Sequence, residues 1–276
     1  MMNRLKNSGF TLIEIAIVLI IVTILLGYTM AMVPIQQDLK QYRQADAEMD
    51  RIIESLYAFS QVNGYLPCPA WEDVGVTSDG FECRDIDLTA ANCDAVTPDP
   101  TTDSCDIWFG YVPGKTLGVE GKYSDTGLLL DPWGQAYRYQ VSDGDVGVAS
   151  TNPDFVTPGE IQAESLAGIG LSVLGPDLEV CNTDDSAGAA GVEGSCDDAA
   201  ETVVNNIPAV ILSTGKDGAD TSISWIQLEN LDNDTSDRVF IKTSRRDVED
   251  EEFDDLVKWI SPNILYSKMI EAGQLP

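Results

Sequence analysis

The sequence predicts an α+β protein: one long N-terminal α-helix, membrane-spanning at first and amphipathic afterwards, packed on a globular head with a mainly antiparallel β-sheet. Three observations predict it. Residues 10–33 form an apolar run of 24 residues containing one charge, Glu14. Apolar side chains then recur at spacings of three and four as far as Phe59. From Tyr65 onward, short β-rich runs alternate with segments rich in Gly, Asp and Pro. The 276 residues therefore divide into a leader over 1–9, a transmembrane helix over 10–33, an amphipathic continuation over 34–64 and a head over 65–276.

The leader, MMNRLKNSG, is short and basic through Arg4 and Lys6. Positive charge keeps such a segment in the cytoplasm, so the rest of the chain lies across the membrane. At 1.5 Å per residue the apolar run makes a helix of about 36 Å, enough to cross a hydrocarbon core of about 30 Å with some tilt. A cleavable secretory signal has a shorter apolar core followed by a small-residue cleavage site. Here the core is long and the small residue, Gly9, precedes it. Glu14 is the anomaly: a charge in mid-bilayer costs roughly 2.5–3.5 kcal/mol, so it calls for a specific partner.

Pro34 predicts a kink or a locally melted turn. Beyond it Ile35, Leu39, Tyr42, Met49, Ile52, Ile53, Leu56 and Phe59 draw one helical stripe that packs on the head. Gly64 is a natural stop, and Pro67 and Pro69 forbid continuation. In the head, residues 136–141, 209–214 and 238–244 read as strands. The tail carries Phe253, Leu256, Val257 and Ile260 at helical spacing, which predicts a short helix ending before Pro262, with a further turn after it.

Composition excludes whole classes of activity. With 46 Asp+Glu against 16 Lys+Arg, the chain has a net charge of −30 and lacks the basic surface that nucleic acid requires. Histidine is absent, which removes the commonest general base, the commonest zinc ligand and any Ser-His or Cys-His nucleophile pair. No catalytic residue is assigned, and the chain is not expected to be an enzyme. Six cysteines behind a membrane segment, with no CxxC pair, point to disulfides in an oxidising compartment. Cys181 and Cys196 share one acidic loop and form the preferred pair, while Cys68, Cys83, Cys93 and Cys105 leave three arrangements open. Lys115 and the pair Arg245-Arg246 read as ordinary surface charges.

The stretch Gly9-Phe10-Thr11-Leu12-Ile13-Glu14, after a basic leader and before a long apolar helix, resembles the N-terminal signature of type IV pilins and type II secretion pseudopilins. The resemblance implies a pilin-like fold, cleavage between Gly9 and Phe10 by a prepilin peptidase, and N-methylation of the new Phe10 amine. It also implies a single-pass protein of the bacterial inner membrane with a periplasmic head. Other pilin or pseudopilin subunits and an inner-membrane assembly platform would be its partners, in a periplasmic or cell-surface filament. Glu14 of one subunit would then meet the Phe10 ammonium of its neighbour, a charge that methylation keeps.

Two further stretches are similar to pseudopilin segments. Residues 128–141, LLLDPWGQAYRYQV, resemble the Asp-Pro-Trp-Gly turn that leads into a strand, with Trp133 as a core anchor. Residues 211–234 resemble the Ser-x-Gly-x-Asp-Gly loop that binds calcium in those proteins. Hard oxygen ligands are plentiful there, and the expected calcium site uses Asp217 with Asp232 or Asp234. The cysteine-bearing segments 68–105 and 181–196 look like insertions, favouring a minor or specialised subunit. The alternative is a membrane-tethered periplasmic enzyme or carbohydrate-binding module that uses this N-terminus only for targeting.

Overall fold

A computed structural model describes residues 11–71, 80–84, 105, 107–144, 154–166, 174–182, 196, 201–218, 225–231, 239–246 and 252–276, without the side chains of 27–35. The chain divides into two compact units, Met1–Arg43 and Gln44–Pro276.

The first element, α1, is a single helix over Leu12–Asn63. No melted turn interrupts it at Pro34. A proline removes one N–H donor, and losing one bond of the ladder leaves the turns on either side intact. Thr11–Leu26 are exposed and, Glu14 and Thr23 apart, mostly large and apolar. Among the described residues no helix is long and apolar enough to cross a membrane. The apolar run of the sequence reaches Val33, but the described side chains of that run stop at Leu26. Transmembrane character over 10–33 thus does not follow from the described structure.

In the second unit, α1 turns one face inward. Ala45, Met49, Ile52 and Leu56 are fully buried and Tyr57 nearly so, at spacings of three and four, while Leu39 in the first unit is exposed. Full burial of each large apolar side chain contributes about 1.5–3 kcal/mol. At Gly64 the backbone turns left-handed (φ +84°) and its N–H closes on the Ser60 carbonyl, which stops the helix.

Next come β1 (Phe109–Tyr111), a short α2 (Gly114–Leu117), β2 (Lys122–Tyr123), β3 (Leu129–Leu130) and β4 (Arg138–Val141). They are followed by α3 (Glu160–Leu166), β5 (Leu178–Cys181), β6 (Thr202–Ile207) and β7 (Ala209–Ser213). The last elements are α4 (Trp225–Glu229), β8 (Val239–Ile241), β9 (Leu256–Trp259) and α5 (Pro262–Glu271). One antiparallel sheet has the order β1-β4-β7-β9, a second has the order β6-β5-β8, and β2-β3 is a small hairpin. The head is therefore α+β with mostly antiparallel pairing; β5 and β8 run parallel.

Every residue of β7 is buried because both faces of the first sheet are covered. Ala209 and Ile211 join Tyr139, Val141, Met49, Ile52, Leu56 and Met269 in one core between the sheet, α1 and α5. Val210 and Leu212 point the other way and meet Leu178, Val180, Ile207 and Phe240 of the second sheet. Period-two alternation of one strand thus serves two cores.

The tail departs from the expected helix. Leu256–Trp259 is a strand whose partner is β7, with Leu212 opposite Val257. Helical spacing of a few apolar residues carries little weight against a free sheet edge, and Val257 and Ile260 are both β-branched and buried. Pro262 begins the helix that follows, its fixed φ suiting the first turn. Trp133 is another correction: it lies half-buried in the turn, and the aromatics that this segment sends into the core are Tyr137 and Tyr139.

Cysteine bonds link the loops. Cys68 bonds Cys105, Cys181 bonds Cys196, and no described cysteine is free. Cys83 is disulfide-bonded as well, and Cys93 lies outside the described residues.

Candidate functional site

The N-terminal candidate lies at the start of α1. Thr11 donates from its backbone N–H and from Oγ1 to Oε2 of Glu14, at 2.8 and 2.9 Å. In return the Glu14 N–H reaches Thr11 Oγ1 at 3.4 Å. This reciprocal arrangement, Thr-x-x-Glu, is a capping box that satisfies amide donors left over at a helix start. Both Thr11 donors converge on a single oxygen, Oε2, and neither uses Oε1. The carboxylate is exposed and held at the head of an apolar rod. Beside the subunit pairing expected of it, Glu14 thus has a local role at the helix start, and the Thr-x-x-Glu spacing is its signal in the sequence. Gly9 and Phe10 lie outside the described residues.

The second candidate is the acidic end of the head. There β7 leads into a turn over 215–218, where Gly215 has φ +64°. A Cβ on Gly215 would come within 2.5 Å of the Asp254 carboxyl, so only glycine allows this approach. The Lys216 N–H donates to Asp254 Oδ2 at 2.6 Å. Gln227, on α4, donates through Nε2 to Asp217 at 3.2 Å and to Asp254 at 3.0 Å, drawing the two carboxylates together. Asn230 donates to Asp255 at 2.8 Å, while its amide also bonds both the N–H and the carbonyl of Ile241. Burial pushes the Asp255 carboxyl well above its ordinary value, partly offset by Asn230, with Asp254 and Asp217 adding to the rise.

Of the expected calcium ligands, Asp217 is at this turn, whereas Asp232 and Asp234 lie outside the described residues. Among the described residues no group of three or more acidic or cysteine side chains placed to hold a metal occurs. Asp254, Asp255, Gln227 and Asn230 were missed by sequence reasoning, since nothing local marks two acids in a tail as partners of a loop some 40 residues earlier.

The Asp131-Pro132-Trp133-Gly134 turn stands beside β7. Asp131 Oδ1 accepts from the N–H groups of Trp133 and Gln135 at 2.9 and 2.8 Å, and Oδ2 accepts from Ser213 Oγ at 2.7 Å. Burial raises this carboxyl above its ordinary value although those bonds pull it down. The turn is structural scaffolding for β4 and β7.

Comparison with known proteins gives one match: residues 4–30 fit the prokaryotic N-terminal methylation motif. No curated protein and no solved structure matches the chain. The matched segment takes in the basic leader, Gly9, Phe10, the capping box and most of the apolar run, so the chain carries a prepilin-type signature.

Proposed function

We propose that this protein is a structural subunit of a type IV pilus-like filament, either a type II secretion pseudopilin or a minor type IV pilin. The observation that supports it most is the methylation motif over residues 4–30, with the Glu14 carboxylate held by Thr11 at its centre. In this reading prepilin peptidase cuts after Gly9 and methylates Phe10, and residues 10–33 anchor the chain in the inner membrane with the head in the periplasm. An inner-membrane platform then assembles it with other pilin or pseudopilin subunits. An unpaired ammonium and an unpaired carboxylate are each expensive in lipid. Joined between neighbouring subunits they neutralise one another and set the axial register. The cysteine-bearing segments of the head support a low-copy, specialised position, and the absence of histidine supports a role without catalysis.

The experiment has two readouts. Mass spectrometry of the mature chain should find a methylated Phe10 as its first residue. Replacing Glu14 with Leu should leave the protein in the membrane fraction while depleting it from sheared filaments by at least tenfold. A mature chain that starts at Met1, or normal incorporation of the Leu variant, overturns the reading.

Calcium belongs to the same proposal, held by Asp217 with Asp232 or Asp234. If it binds, chelation lowers the melting temperature of the head and added calcium restores it. An unchanged melting temperature removes calcium from the account.

A further inference from the structure

The charges that α1 carries beyond its apolar run divide into those the head uses and those it leaves over. Residues 36–63 hold five acids, Asp38, Asp46, Glu48, Asp50 and Glu54, and three cations, Lys40, Arg43 and Arg51. In the second unit every acid of α1 is engaged by the head. Lys258, on β9, pairs with Asp46 at 2.7 Å and with Asp50, and donates to the Asp46 carbonyl at 2.9 Å. Lys268, on α5, pairs with Glu54 at 3.2 Å, and the Tyr137 hydroxyl donates to Glu48 at 2.8 Å.

The cations receive nothing in exchange. In the first unit Lys40 and Arg43 are exposed and, three residues apart, neighbours on the helix surface, while Asp38 is half-buried. In the second unit Arg51 is exposed, at the rim of a recess also lined by Glu48 and Glu120, and it pairs with neither. Among the described residues none of the three cations forms a side-chain hydrogen bond or an ion pair. What α1 leaves unspent is therefore positive, in a chain whose net charge is −30.

We propose that Lys40, Arg43 and Arg51 bind carboxylates on the head of a second copy of this chain. Charge complementarity selects that partner: with 46 Asp+Glu against 16 Lys+Arg, another copy offers an excess of acid to cations that its own head leaves unpaired. Lipid headgroups are out of reach. Lys40 and Arg43 follow Val33, the end of the apolar run, by seven and ten residues, about 10 and 15 Å along the helix. The interfacial layer outside the hydrocarbon is only about 5–8 Å deep on each side. A contact from helix cations to head acids joins two different surfaces of one chain, the heterologous kind that repeats into open helical filaments. The inference thus rests on the filament reading, and it adds a contact on the water side to the pairing of Glu14 with Phe10.

Zero-length cross-linking of the full-length protein in detergent micelles at low salt tests this. Chains labelled with nitrogen-15 are mixed with unlabelled ones and treated with a carbodiimide, which joins a lysine amine to a carboxylate only where the two touch. Cross-links from Lys40 that carry both isotopes come from two copies. They should be at least tenfold more frequent than those from Lys122, which is equally exposed on β2, and should fall when salt is raised. Replacing Arg43 and Arg51 together with Gln should lower the Lys40 yield severalfold, whereas replacing both with Lys should keep it. Thermal unfolding of each variant separates a lost contact from a lost fold. Mixed cross-links no commoner at Lys40 than at Lys122, or indifferent to the Gln variants, overturn the proposal. Mixed cross-links that vanish when anionic lipid is added assign the cations to headgroups and overturn it too. A methylated Phe10 without mixed cross-links removes this contact alone and leaves the filament reading standing.

Discussion

At the scale of single residues, Glu14 and Asp131 show two ways of holding a carboxylate. Glu14 is exposed and gripped by Thr11, so its first task is local: closing the amide ladder of α1. Replacing Thr11 with Val removes the hydroxyl from the capping box at a cost of about 0.5–2 kcal/mol. The Glu14 amide proton should then exchange several-fold faster, whereas Thr11→Ser should preserve protection; equal exchange in Val and Ser variants would disprove the cap. Asp131 is the buried case, its carboxyl pushed up by desolvation. Below the unfolded value of about 3.9 both states are protonated and its full contribution to stability is present. As pH rises through the higher folded value, the native state must carry a buried charge and that contribution is lost. Asp131→Asn keeps the turn's acceptor and cannot titrate. Relative to wild type, its melting temperature should therefore be higher at pH 7 than at pH 4, whatever the constant offset. A pH-independent difference would show that burial does not govern this group.

At the scale of elements, the inward face of α1 carries the head. Leu56 is fully buried between the first sheet and α5, so Leu56→Ala should destabilise by about 2–5 kcal/mol. Val62, on the same helix but 74% exposed, should tolerate Ala within about 0.5 kcal/mol. Denaturant midpoints of the two variants measure both, and similar losses would mean that α1 does not pack through this face. The stripe was legible because Met49, Ile52 and Leu56 repeat at helical spacing over about two turns. The strands β4, β7 and β8 were legible from β-branched and aromatic runs bounded by Gly and Asp. Leu256–Trp259 was not, because four residues satisfy either periodicity and the vacant edge of β7, distant in sequence, decides between them. Pro262 misled for a related reason: a proline stops a helix behind it and starts one ahead of it.

At the scale of the molecule, what escaped the sequence was nonlocal: two sheets instead of one, and a core on each side of β7. Gln227 and Asn230 gathering Asp217, Asp254 and Asp255 belong to the same class, since each bond joins segments that no spacing rule relates. The cysteines offer the measure of how much such distant joints stabilise the head. A disulfide acts mainly by restricting the unfolded chain, and its effect grows with the loop it closes. Cys181 and Cys196 are 15 residues apart, and Cys68 and Cys105 are 37 apart. Loop closure then assigns about 3 kcal/mol to the first and about 4 kcal/mol to the second. The Cys68–Cys105 bond also joins the segment after α1 to the one before β1, where Arg84 bonds the carbonyls of Leu66 and Val156 and stacks on Tyr65. Replacing Cys68 and Cys105 together with Ser should therefore lower the denaturant midpoint more than replacing Cys181 and Cys196. A larger loss from the shorter loop would mean that native packing around the buried Cys181, at the end of β5, outweighs the entropy of the unfolded chain.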